Sequence, residues 1–302
     1  MNLSVKIGDL VFKNPVIAAS GTFGFGREFE NYMDPGILGG ISGKGITPEP
    51  RIGNEPPRIA ETPCGIINSV GLQNPGLEYY IKNEIPFLRK FNVVNIANVA
   101  GNTTEDYCYM VSRLSDEDVD AIELNVSCPN VKTGCLAFGS SDKELRGLLK
   151  EVRKNCKKPL FVKLTPNVSD IALMARICED EGADAVSLIN TILALAIDIK
   201  TRMPVLKNNF GGLSGPCIKP IALRMVSQVY NSVSIPVIGM GGITNHIDVL
   251  EFMMAGAAAC MVGTANFIDV RATETIIEGL KTYMKENMID DISTITGSLK
   301  FH

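Results

Sequence analysis

A chain of 302 residues that is 45% hydrophobic and 21% charged can bury one large α/β core or two small ones. Its net charge of -4 and the lack of any basic cluster exclude a nucleic-acid backbone as its partner. The start, Met1-Asn2-Leu3-Ser4-Val5-Lys6, has no apolar signal core, and Phe252 to Gly263 is too short and glycine-rich to cross a bilayer. A cytoplasmic protein is therefore expected, in a compartment where disulfides are rare. Eight cysteines, at 64, 108, 128, 135, 156, 178, 217 and 260, include no Cys-x-x-Cys pair, and His246 and His302 lie far apart in sequence. That spacing gives no reason to expect a metal site.

No fixed period repeats along the chain. A pattern recurs instead: a short apolar run, a polar or glycine tip, then a helical stretch. Val16 to Ala19 ends at Ser20-Gly21, and Gly40 to Gly43 ends at Lys44-Gly45. Val93 to Ala97 ends at Asn98, Ala121 to Leu124 at Asn125, and Leu160 to Val162 at Lys163. Ala185 to Ile189 ends at Asn190-Thr191, Pro236 to Met240 at Gly241-Gly242, and Ala259 to Val262 at Gly263-Thr264. Helices are expected over Tyr79–Lys90, Thr104–Leu114, Asp142–Asn155, Ser169–Glu181, Pro220–Asn231, Asn245–Ala255 and Asp269–Asn287, with Ser169 and Asn245 as N-caps.

Helices alternating with near-continuous apolar strands imply a parallel sheet, and eight such units imply a single (β/α)8 TIM barrel spanning residues 1–302. The rival is a doubly wound open sheet. Its dinucleotide fingerprint is missing, because Gly21 to Gly26 does not follow the Gly-x-Gly-x-x-Gly order. Two stretches exceed ordinary connections: Thr47 to Glu78, and Ile192 to Lys219, which contains Gly211-Gly212-Leu213-Ser214-Gly215. Both follow strand tips and read as a rim and a lid on the active face of the barrel.

In a barrel the strand tips converge, bringing Ser20, Lys44, Asn98, Asn125, Cys128, Lys163, Asn190 and Thr191 to one face. This tip set holds amides, a thiol and two lysines, with no carboxylate pair and no histidine, which excludes the usual hydrolase arrangements. Gly241-Gly242 and Gly263-Thr264 follow strands seven and eight, where backbone N–H groups commonly bind phosphate; tight strand-to-helix turns are the alternative, and the presence of both pairs favours phosphate. Lys163 is either a Schiff-base lysine or a cation beside a cofactor. Cys128, in Asn125-Val126-Ser127-Cys128-Pro129-Asn130, is either a small buried hydrophobe or a proton-transfer group. A phosphate site, lysines near a ring and a thiol acid/base together suit a flavin mononucleotide (FMN) enzyme. A non-redox barrel that binds a phosphorylated sugar through Lys163 is the main alternative, and a silent partner-binding subunit is another.

The chain resembles the dihydroorotate dehydrogenases. The resemblance lies in the segments 14–21, 68–76, 125–132, 162–164, 190–191, 211–215, 238–242 and 262–267. Its most specific parts are Asn125-Val126-Ser127-Cys128-Pro129-Asn130 and Gly71-Leu72-Gln73-Asn74-Pro75-Gly76. It implies oxidation of dihydroorotate to orotate, with Cys128 removing the C5 proton and the C6 hydrogen passing to FMN as hydride. It also implies that Asn68, Ser69, Val70, Gly71, Leu72, Asn125, Asn130, Asn190 and Thr191 hold the substrate, with Lys44 facing both substrate and flavin. By the same resemblance Ser20, Gly45, Asn98, Asn125, Lys163, Ile189, Gly215, Gly241, Gly242, Gly263 and Thr264 contact FMN. Asn68, Ser69, Val70, Gly71, Leu72, Asn130, Ile189 and Gly215 enter through the resemblance alone.

Within the family the chain is most similar to the catalytic subunits of the class 1B, NAD-linked enzymes. Cys128 stands where class 2 enzymes carry serine, and Val131 to Gly139 follows the class 1B pattern more than that of the fumarate-linked class 1A. Two features depart from the family: Cys135, where a glycine is usual, and the pair Gly43 and Gly45 around Lys44. The resemblance implies an electron-transfer partner subunit with FAD and a [2Fe-2S] cluster, in a heterotetramer.

Overall fold

The computed structural model describes residues 1–126 and 135–302, and side chains from Phe138 onward after the gap. The eight apolar runs form the strands β1 (Val16–Ala18), β2 (Gly40–Ser42), β3 (Val94–Val99), β4 (Ala121–Asn125), β5 (Leu160–Lys163), β6 (Ala185–Leu188), β7 (Val237–Met240) and β8 (Ala257–Val262). They close in sequential order into a parallel barrel, β8 pairing with β1 through Cys260↔Val16. The eight-stranded barrel and its strand tips are as the alternation of apolar runs predicts.

The principal helices outside it are α1 (Thr104–Ser115), α2 (Asp142–Asn155), α3 (Ile171–Asp180), α4 (Lys219–Tyr230), α5 (His246–Met254) and α6 (Ala272–Glu286). Each buries a stripe against the barrel, as α2 does with Leu145, Leu148, Leu149 and Val152 at helical spacing. Their starts are chemically marked. Thr103 and Asp106 form a capping box on α1, and Asn245 and Asp248 form one on α5. α3 differs from expectation: it starts at Ile171, and its cap is Asp170, whose side chain accepts from Leu173 N–H at 2.9 Å. A carboxylate at that position also meets the positive end of the helix dipole, which the Ser169 hydroxyl cannot. The stretch expected as Tyr79–Lys90 is helical over 77–88, with its middle, Tyr80–Glu84, wound as a π turn.

Three features lie outside the sequence reading. An N-terminal hairpin, Val5–Ile7 with Leu10–Phe12, buries Phe12 against the start of β2, where a Cβ on Gly40 would lie 2.9 Å from the Phe12 ring. A short helix, Cys135–Ser140, precedes α2. The rim and the lid are also joined to each other. Ile59–Thr62 and Gly65–Asn68 from the rim pair with Gly211–Ser214 and Ile192–Ala194 from the lid in one four-stranded antiparallel sheet. Ala60, Ile67 and Leu206 form its own small core. The glycines allow the close approach: a Cβ on Gly212 would lie 1.9 Å from Thr191 Oγ1, and one on Gly211 2.6 Å from the Asn68 carbonyl.

Candidate active site in the barrel mouth

Beneath the mouth lies a buried polar layer. Glu123, on β4, is fully buried, and its carboxylate accepts from Asn98 Nδ2 at 2.6 Å, Ser187 Oγ at 2.6 Å and Ser42 Oγ at 2.8 Å. These partners come from β3, β6 and β2. Side chains from strands so far apart meet only through the barrel interior, so the layer faces inward. By the period of two along β4, Asn125 stands one layer higher, at the strand tip. Its carbonyl accepts from Tyr107 Oη at 2.8 Å, its Oδ1 accepts from Asn190 Nδ2 at 3.4 Å, and its Cα is in register with Lys163 on β5.

Above this layer opens one cleft of about 1290 Å³, counting its open mouth. Among the residues expected at the site, the cleft is lined by Ser20, Lys44, Gly45, Asn68, Val70, Gly71, Leu72, Asn125, Lys163, Ile189, Asn190, Thr191, Gly215, Gly241, Gly242, Gly263 and Thr264. Ser69 and Asn98 stand behind the wall, both fully buried. Ser69 contributes its backbone, donating its N–H to the Arg58 carbonyl and accepting from Asn54 Nδ2. Asn98 points its amide nitrogen at Glu123, while its Oδ1 has no partner among the described residues. A Cβ on Gly45 would lie 3.0 Å from that oxygen, so glycine avoids crowding it. Cys128 and Asn130 lie outside the described residues.

Lys44 sits between Gly43 and Gly45, its N–H bonded to the Gly24 carbonyl. A Cβ on Gly43 would lie 3.0 Å from Phe25, so both glycines serve close packing around this lysine. Burial, followed by the neighbouring Arg58 guanidinium, pushes the Lys44 ammonium below its ordinary range, against the pull of Glu28. A partly buried cation on the wall, with a second behind it, favours an anionic ligand there. Lys163, at the tip of β5, is 5% exposed and reaches the cleft floor.

The opposite end is a glycine cradle. Gly215, Gly241 and Gly242 have φ of +106°, +122° and +81°, which side-chain-bearing residues rarely adopt. A Cβ on Gly242 would lie 2.9 Å from both the Gly215 carbonyl and the Lys219 nitrogen, and one on Gly241 3.0 Å from Ala222 Cβ. Thr264 Oγ1 donates to Ser214 Oγ at 2.9 Å, tying the loop after β8 to the end of the lid. Lys219 Nζ bridges Asp248 at 2.6 Å and Glu251 at 2.7 Å, which fixes the start of α4 against α5.

Sequence reasoning missed several members. Ser214 and Phe267 line the cleft from within segments already singled out, and Thr22 follows the first tip. Ile218, Met240 and Met261 line it as apolar side chains with no chemical signal of their own. Glu123 was legible as a lone acid two residues before Asn125, on the same face of an otherwise apolar strand.

A parallel barrel whose strand tips bring a glycine cradle, two lysines and a set of amides into one cleft is an enzyme scaffold for a phosphate-bearing ligand. The dihydroorotate dehydrogenase family model matches residues 2–284. Chains named dihydroorotate dehydrogenase B (NAD(+)), catalytic subunit, are 57% identical over 300 residues in Thermoanaerobacter pseudethanolicus and 54% over 299 residues in Alkaliphilus metalliredigens, each comparison covering 99% of both chains. A solved dihydroorotate dehydrogenase (DHODH) from Eimeria tenella, in complex with ferulenol, has the same fold, with a TM-score of 0.82 at 23% identity over 98% of this chain and 88% of that one. The chain belongs to the dihydroorotate dehydrogenase family.

Proposed function

We propose that this chain is the catalytic subunit of an NAD-linked dihydroorotate dehydrogenase. It oxidises dihydroorotate to orotate in pyrimidine synthesis and passes the electrons to NAD through a partner subunit. One observation carries the reading. A single cleft joins the glycine cradle to Lys163 at β5 and to the amides Asn68, Asn125 and Asn190. High identity along the full chain to enzymes of that name supports the same substrate and acceptor.

The cleft fits FMN as cofactor. Any side chain at Gly241 or Gly242 would crowd the cradle, which leaves backbone N–H groups and the linked Ser214 and Thr264 hydroxyls to meet a phosphate. Ser20, Gly45, Asn98, Ile189, Gly215 and Gly263 complete the cofactor contacts in this reading. Bound FMN supplies the acceptor for the hydride that leaves C6 of the substrate.

The remaining work falls to the chain's own groups. Cys128 takes the C5 proton, so that two hydrogens leave the ring in all. Lys44, with Arg58 behind it, holds the substrate carboxylate. Asn68, Asn125, Asn130, Asn190 and Thr191 hold the planar ring through neutral donors and acceptors, with Ser69, Val70, Gly71 and Leu72 as the backbone wall. Lys163 offsets negative charge developing at the cofactor edge. The whole chain, 1–302, acts as one barrel, with the rim and lid covering the site. The partner carries FAD and a [2Fe-2S] cluster in a heterotetramer. That assignment agrees with a sequence holding neither a Cys-x-x-Cys pair nor a dinucleotide fingerprint.

The test is a visible spectrum of the purified chain before and after anaerobic addition of dihydroorotate. Flavin absorbance that bleaches on addition is expected. A yellow protein that stays yellow would remove the substrate assignment, and a protein that takes up no FMN would remove the cofactor. Cys128→Ser should keep the flavin and bleach slower by orders of magnitude, because an alcohol is a far weaker base than a thiolate.

A further inference from the structure

Two cysteines outside the proposed chemistry come together at the junction of rim and cradle. Cys64 occupies the turn between the rim strands Ile59–Thr62 and Gly65–Asn68. Cys217 lies in the single turn Pro216–Ile218 that leads from Gly215 into α4. Both thiols are exposed. The Cys217 N–H donates to the Cys64 carbonyl at 3.1 Å, just beyond the last sheet pair, Ser214 with Ile66. Residues joined by such a backbone bond lie close enough for the roughly 4.4–6.8 Å that a disulfide spans between Cα atoms. Gly65 leaves room for the sulfur: a Cβ there would lie 2.9 Å from Cys217 Sγ. Partial burial, and secondarily the charge of Cys64, push the Cys217 thiol above its ordinary range.

We propose that Cys64 and Cys217 are a reversible dithiol–disulfide site that clamps the rim hairpin to the loop carrying Gly215. The co-reactant is a low-molecular-weight disulfide. The Cys64 thiolate attacks one of its sulfurs, forming a mixed disulfide and releasing the first small thiol. Cys217, as thiolate, then displaces the second small thiol and closes the Cys64–Cys217 bond. Two protein thiols lose two hydrogens, and one small disulfide is reduced to two thiols. The bond would tie together the two insertions exactly where their shared sheet ends, next to Ser214 and Gly215 in the cleft wall.

The test is incubation of the full chain with oxidised glutathione, alkylation of the remaining thiols, and peptide mass spectrometry. A peptide pair joined through Cys64 and Cys217 is expected, lost on treatment with dithiothreitol. Cys217→Ser should instead retain glutathione on Cys64. Separate glutathione adducts on both cysteines of the unaltered chain, or cross-links only to other cysteines, would overturn the site. Amide exchange over residues 62–65 and 214–218 should slow in the oxidised chain, and unchanged exchange there would overturn the clamp.

Discussion

Glu123 shows how much of this site is decided one layer below its surface. Its carboxylate satisfies three donors, from Ser42, Asn98 and Ser187, in a place without water access. Glu123→Leu leaves all three facing hydrocarbon. The two hydroxyls can rotate, but the Asn98 amide cannot shed its hydrogens, so a loss of about 2–4 kcal/mol is expected. Glu123→Gln retains the layer: its carbonyl accepts from Asn98 and Ser42, and its NH2 donates to a reversed Ser187 hydroxyl. Thermal unfolding of the two variants checks this. A Leu variant as stable as the unaltered chain would show that the layer contributes nothing, and equal losses in both would show that the charge matters and the acceptors do not. Asn125 was legible as a polar tip because its strand ended there. Glu123 went unused in the sequence reading because that reading ranked strand ends above strand interiors.

At the scale of elements, the barrel was legible because each strand repeats one signal, an apolar run closed by a polar or glycine tip. The rim–lid sheet was not. Its strands are three or four residues long, draw half their partners from a segment far away in sequence, and depend on glycines whose role is close approach. Another contact between distant elements, the Lys219 bridge from α4 to Asp248 and Glu251 of α5, makes stability depend on pH. Burial works against the Asp248 carboxylate, but the Lys219 ammonium and the Thr244 N–H and hydroxyl hold it below its ordinary value of 3.8. A depressed carboxylate contributes stability that is present above its unfolded pKa and lost as pH falls through the lower folded value. Lys219 is raised above 10.5, chiefly by Asp248 and then by Glu251. Its contribution is therefore present below 10.5 and lost as pH rises through the higher folded value. Asp248→Asn should flatten the acid limb of a stability profile below pH 4 or so, and the loss at neutral pH should be about 1–2 kcal/mol, since Lys219 is partly solvated. An acid limb of unchanged steepness in that variant would place the titration elsewhere.

For the molecule as a whole, the proposed division of labour sets what the chain can do alone. The cleft reads as room for one mononucleotide and one small ring, with its cations and amides used on those two ligands. A second nucleotide would need another phosphate cradle, and the chain has no Gly-x-Gly-x-x-Gly turn to build one. In the proposed scheme, electrons reach NAD through the partner subunit that holds it. Purified alone, the chain should complete its reductive half-reaction with dihydroorotate at full speed and reduce NAD slowly, if at all. Adding the partner subunit should raise NAD turnover by orders of magnitude and leave the bleaching rate of the flavin unchanged. Stopped-flow bleaching and NADH formation, measured on the same samples with and without partner, separate the two steps. Rapid NADH formation by the partner-free chain would mean that the barrel itself binds the nicotinamide, and the two-subunit scheme would fall.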